Sequence, residues 1–237
     1  MSSPLLTVPI VSLMLVAALD NADRQLLSSS FIALEHTLGA DAATLGYLSL
    51  CTNLSYAFAV PAWGWGVHRY GIGKVHVLLS GACALWGASA FGIAASGRTL
   101  VQQACWRIVN GAALASILPL GQTVLGELVV PEMRGRAFGA MGVCEKVAGT
   151  LAAASAVYFD NWQYPYYALG MFSIVMAGVV WKRLDIREIL TADRIGDGKK
   201  IFDPPPEMTM REIVQRIVRI PAFVWLVAQG IFGGTPW

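Results

Sequence analysis

The chain is short of charge. Only 14% of its 237 residues are Asp, Glu, Lys or Arg, against roughly 25% in an ordinary soluble domain, so it is poorly equipped to cover a water-facing globule. Patterns that carry chemistry are also sparse. Its three histidines form no metal cluster, and neither a G-x-S-x-G turn nor a phosphate-binding glycine loop occurs. The four cysteines, Cys51, Cys83, Cys105 and Cys144, follow no metal or disulfide spacing. These absences argue against an enzyme and against a resident cofactor. Residues Met1 to Pro4 lack Lys and Arg, and the apolar run behind them outlasts a signal-peptide core, so no cleavable leader is expected.

What the chain has instead is apolar length. It is 56% hydrophobic, with a mean hydropathy of +0.57. A helix of about 20 apolar residues crosses a hydrocarbon core of roughly 30 Å. Such runs predict spans over 6–33, 44–66, 75–96, 99–122, 137–159 and 164–181, with the start of a seventh over 221–237. The expected fold class is therefore an all-α multi-pass membrane protein, with a six-helix bundle over 1–181. All four cysteines fall inside these spans, where cysteine acts as a small apolar residue. The third and fifth spans are dense in Gly, Ala and Ser, which lets helix backbones approach closely in lipid.

The basic residues are placed unevenly. Of 17 Lys and Arg, thirteen fall after the second, fourth and sixth spans, and the opposite loops hold only Arg98. Positive charge collects on the cytoplasmic side of membrane proteins, which predicts a cytoplasmic N-terminus. Residues 182–220 form a charged cytoplasmic segment broken by Asp203-Pro204-Pro205-Pro206. Beyond that breaker, Ile213, Ile217 and Ile220 among Arg211, Arg216 and Arg219 suggest a basic amphipathic helix on anionic lipid. A linker with a solvated helix is the equal alternative.

Charge inside the spans is the rarer signal. The first carries Asp20, Asn21, Asp23 and Arg24; the fourth carries Arg107. An ionisable residue in lipid is costly and should face a cavity or a partner. Asp23 and Arg107 lie about nine or ten residues from the outer ends of antiparallel helices, so both reach roughly the midplane. They could neutralise one another, and a carboxylate that loses such a partner is driven toward proton uptake. Asp20 and Arg24, four apart, could instead pair along their own helix as a static staple. Helical spacing sets Asn110, Gly111 and Gln122 on broadly the side of Arg107. Glu145 is a further titratable candidate, with Lys146 pointing about 100° away. Trp63 and Trp65, and at the other end Trp162, Tyr164, Tyr166 and Tyr167, read as interfacial belts.

Several of these residues also carry a family resemblance. The stretch from Gly64 to Lys74, with His68, Arg69 and Gly71 between, resembles the G-x-L-A-D-R-x-G-R-K motif of the major facilitator superfamily. Arg107 to Gly111 and on to Pro119 resembles that family's fourth-helix R-x-x-x-G motif. The stretch from Pro131 to Gly139, with Arg134, Gly135 and Arg136, is similar to its link between helices four and five. The run Asn21-Ala22-Asp23-Arg24 is similar to the N-x-x-D-R signature of spinster-like members, which handle lysolipids and sphingoid lipids.

The resemblance implies half of a twelve-helix fold, built as two inverted three-helix repeats. It makes Asp23 the proton-linked carboxylate, Arg107 its partner, and Gly64, Arg69, Gly71 and Lys74 a cytoplasmic gate. His68 stands where the family has an aspartate that pairs across that gate, so the lock itself is in question.

The expected function is secondary transport of a small organic solute or a lipid, coupled to protons, by alternating access. The competing function is a membrane scaffold or regulatory half-transporter acting through 182–220. Expected partners are the solute, protons and membrane lipid, together with a missing C-terminal half or a second copy of the chain; of these two, a missing half is favoured. The plasma membrane and endolysosomal or vacuolar membranes are not distinguished.

Overall fold

The computed structural model describes residues 8–39, 41–96, 99–159 and 161–184, and a few positions between 215 and 225. The chain divides into two compact units, Met1–Thr191 and Ala192–Trp237. In the second unit, short helical stretches are described at Gln215, Arg216, Pro221, Ala222 and Trp225. The proposed amphipathic helix and the seventh span fall almost wholly outside the described residues. All that follows concerns the first unit.

Its described residues are helical, with no strand among them. Helices α1 (Val8–Ser29) and α2 (Phe31–Leu38) are nearly continuous. Ser30 joins them: its N–H donates to the Leu26 carbonyl at 3.0 Å and its hydroxyl to the same carbonyl at 2.6 Å. Helix α3 (Ala42–Tyr70) begins at Asp41, whose carboxylate accepts the Thr44 N–H at 3.0 Å. That side chain satisfies a donor which the helix start would otherwise leave open. Pro61 lies inside α3 without ending it.

Helix α4 (Val75–Ala95) leads to α5 (Leu100–Leu114). A π-helical turn over Ile117–Gly121, containing Pro119, then separates α5 from α6 (Gln122–Leu128). Proline removes a ladder donor, which explains a break at this point. The bundle closes with α7 (Pro131–Tyr158) and α8 (Gln163–Arg183).

Four described stretches are long and apolar enough to cross a membrane: Val75–Ala95, Leu100–Gly126, Glu132–Tyr158 and Gln163–Arg183. The sequence suggests six. Helices α1 and α3 have the length, at 22 and 29 residues, but differ in composition. Asp20, Asp23 and Arg24 crowd one half of α1, and α3 is diluted by Ser, Thr, Asn and Gly.

Packing follows a simple rule. Helix α1 packs on α7, α3 on α5, and α4 on α8. Exchanging the first three spans with the last three turns the α1–α7 pair into the α5–α3 pair and returns α4–α8 to itself. An inverted repeat requires that relation. Small residues set the closest approaches. A Cβ on Gly111 would strike the backbone carbonyl of Thr52, and one on Gly87 would meet the Gly170 carbonyl at 2.9 Å. Two apolar clusters fill the bundle, one around Leu13, Leu79 and Leu125, the other around Leu26, Leu34 and Trp86.

Candidate functional site

The α1–α7 pair and the α3–α5 pair face each other across a seam. Neither α1 and α3 nor α1 and α5 are among the closely packed helix pairs. Two cavities lie along this seam. The first, about 120 Å³, is lined by Asp23, Arg107 and Asn110 and by Ser49, Thr52 and Asn53 of α3.

Asp23 is 2% exposed. Its Oδ2 accepts hydrogen bonds from Asn110 Nδ2 at 2.8 Å and from Trp86 Nε1 at 3.1 Å. Asn110 Nδ2 also lies 3.4 Å from Ser89 Oγ. Arg107 is 1% exposed and donates from Nη2 to the Tyr166 hydroxyl at 2.8 Å. Its Cζ sits 5.0 Å from the centre of the Tyr166 ring, a cation–π contact.

The two charges therefore line one cavity without pairing, since no Asp23–Arg107 ion pair forms within 4.0 Å. In place of a direct ion pair, each charge takes neutral hydrogen-bond partners. The reason is competition. Indole and amide N–H groups reach one oxygen of the carboxylate, and a phenol claims one end of the guanidinium. Three buried polar atoms around the cavity are left without a protein partner: Asp23 Oδ1, Arg107 Nε and Asn110 Oδ1. Unpaired buried groups of this kind cost free energy, and charged ones cost most.

The second cavity, about 180 Å³, is lined by Asp20, Glu145, Gln122 and Tyr56 against an apolar wall that includes Leu79 and Met141. Asp20 and Arg24 form the ion pair that their spacing permits, with Arg24 Nε 3.2 Å from both carboxylate oxygens. Arg24 Cζ also lies 4.5 Å from the centre of the Tyr56 ring. The six pathway candidates are thus divided. Asp23, Arg24, Arg107 and Asn110 line the first cavity, whereas Asp20 and Glu145 line the second. Gln122, expected on broadly the side of Arg107, lines the second cavity along the same seam, because it lies fifteen residues, roughly 22 Å, further along the span. Lys146 is exposed.

The motif residues lie elsewhere. Gly71 has φ +76°, a left-handed conformation that favours glycine, and its N–H donates to the Val67 carbonyl at 2.9 Å. His68, Arg69 and Lys74 are exposed, and no ion pair among the described residues involves them. Gly64 and Gly135 have open space where a Cβ would stand. Arg134 Nε donates to the Val129 carbonyl at 3.2 Å, while Arg136 is exposed. None of these residues lines either cavity.

Sequence reasoning missed Trp86, Tyr56 and Tyr166. Trp86 sits in a small-residue helix read as packing alone, yet a buried indole N–H needs an acceptor, and that was the available signal. Tyr166 and Trp162, read as interfacial, are buried instead. Trp162 Nε1 donates to Thr37 Oγ1 at 3.2 Å. Asn21 lies against Gly149 of α7, and it precedes Asp23 by two positions where the spinster-like signature spaces three. Among the described residues no group of three His, Cys, Asp or Glu could hold a metal.

Comparison with curated proteins returns no match. The family model described as Major Facilitator Superfamily matches residues 13–236, nearly the full chain. With its all-helical bundle, the chain belongs to the major facilitator superfamily and is an integral membrane protein of that transporter family.

Proposed function

We propose that the chain is a proton-coupled secondary transporter of a small organic solute, with the Asp23–Arg107 cavity as its binding and coupling site. One observation carries this reading. Two opposite charges are buried beside the same cavity, each held by a neutral group rather than by the other. Charges kept apart in this way stay available. A solute anion can engage Arg107, and Asp23 can take or give a proton without first breaking an ion pair. Arginine stays protonated, so Asp23 is the titrating member. Rocking of two such six-helix halves around the midplane site would expose the cavity alternately to the two sides. The distribution of Lys and Arg supports a cytoplasmic N-terminus.

A lipid cargo of the spinster-like kind rests on the Asn21–Arg24 run alone. A cavity of only about 120 Å³ favours a small solute over it. The test is proton-driven uptake into liposomes carrying the 237-residue chain, with radiolabelled amino acids, carboxylates, sugars and a lysolipid as probes. Uptake of at least one probe that collapses in Arg107→Ala and loses its proton dependence in Asp23→Asn supports the reading. Uptake indifferent to both substitutions contradicts it.

A further inference from the structure

The two cavities are neighbours along α1, and one side chain belongs to both. Tyr56 of α3 lines the Asp23 cavity and the Glu145 cavity. The residues that meet it are divided between the same two spaces. Arg24 lines the first and Asp20 lines the second, and their ion pair spans the boundary. Arg24 lies over the Tyr56 ring at 4.5 Å, reaching from α1 across the seam to α3. Since α1 and α3 do not pack closely, the boundary here is made of side chains and not of interlocked helix backbones.

We propose that Arg24 and Tyr56, anchored by Asp20, form a gate that divides the solute path into two compartments. Four features make the contact suitable. It is a cation–π contact, which needs no fixed hydrogen-bond geometry and can separate by sliding. Asp20 holds Arg24 from one turn below on the same helix, so the guanidinium stays poised when the ring withdraws. The Arg24 side chain is 38% exposed and that of Asp20 18%, so the pair meets open space and is not sealed in the core. The same ring lines both cavities, so its displacement would open one to the other.

This gate is distinct from the exposed motif loop of His68, Arg69 and Lys74. Its anchor Asp20 lies about one helical turn from the coupling carboxylate Asp23, and Arg24 is the residue next to it. The proposal rests on reading both cavities as parts of one path, and its test needs no known solute.

The test is sided labelling of the full chain in oriented vesicles, with Cys51, Cys83, Cys105 and Cys144 replaced by alanine or serine. Ser49→Cys reports the Asp23 cavity and Gln122→Cys the Glu145 cavity, each probed with a membrane-impermeant maleimide added to one face at a time. With the gate intact, one face labels Ser49→Cys and the other labels Gln122→Cys. Tyr56→Ala and Arg24→Gln should each let the first face label Gln122→Cys at least tenfold faster. Tyr56→Phe keeps the ring and should preserve the sided pattern.

Any other pattern in the intact chain overturns the gate, as does unchanged sidedness in either opening variant. Tyr56→Leu replaces Tyr56→Ala if the latter fails to assemble. Sided labelling without proton-driven uptake would remove the transport reading and leave the gate standing. Uptake with unsided labelling would do the reverse.

Discussion

Helix α1 carries two carboxylates one turn apart, and they have opposite fates. Asp20 finds its partner four residues along the same helix, at 3.2 Å. Asp23 has Arg107 beside the same cavity yet is held by Trp86 and Asn110 from two other helices. The first pair is local and half-open to its surroundings. The second is assembled from α1, α4, α5 and α8, is fully buried, and leaves three polar atoms unsatisfied. The lesson is that spacing within a helix predicts a staple, whereas a buried cluster with its charges held apart takes side chains from several helices.

The strongest way to break this contrast is to strip Asp23 of its donors. Combining Trp86→Phe with Asn110→Leu leaves a buried carboxylate with neither partner. Each lost bond to a charged group is worth about 1.5–3 kcal/mol, so thermal unfolding in detergent should show the largest drop of the series. An unfolding temperature close to that of the parent would mean that Asp23 is solvated after all.

Tyr166→Phe should come next, at about 1–3 kcal/mol, because it takes the hydroxyl from Arg107 while keeping the ring. The freed guanidinium should then turn toward Asp23. A double-mutant cycle of Tyr166→Phe with Asp23→Asn should therefore show coupling of roughly 0.5–3 kcal/mol, and strict additivity would deny that the two charges compete for partners. Asp20→Asn should cost less, below about 1 kcal/mol, since a partly exposed ion pair contributes little.

The smallest effect belongs to Asp41, at the exposed start of α3. Bonds from Thr44 hold its carboxyl below the usual carboxylate range. Its contribution is therefore present above the ordinary carboxylate pKa and fades as pH falls through the lowered one. Asp41→Ala should shift unfolding slightly at neutral pH and not at all in strong acid.

Much of the fold was legible because lipid imposes a simple code. Runs of apolar residues placed α3, α4, α5, α7 and α8 close to their observed positions, since a span needs a fixed length, whereas α6 lies past the end of the expected 99–122 span. Gly71 was legible as part of a motif, and its left-handed backbone gives the physical reason for that residue. The Asp20–Arg24 pair was legible from spacing alone. The partners of Asp23 and Arg107 were not. Trp86 and Tyr166 look like packing and an interfacial belt until tertiary structure brings them to a charge, and no local pattern records which helix will face which. Gln122 faces the same seam as Arg107 but lines the neighbouring cavity, since depth along the span and not side separates them.

The central claim is that Asp23, not its neighbour Asp20, carries the coupled proton. The direct measurement is dye-reported proton flux into liposomes under an imposed gradient, comparing Asp23→Asn with Asp20→Asn. The account predicts flux lost in Asp23→Asn and retained in Asp20→Asn. Undiminished flux in Asp23→Asn would contradict it.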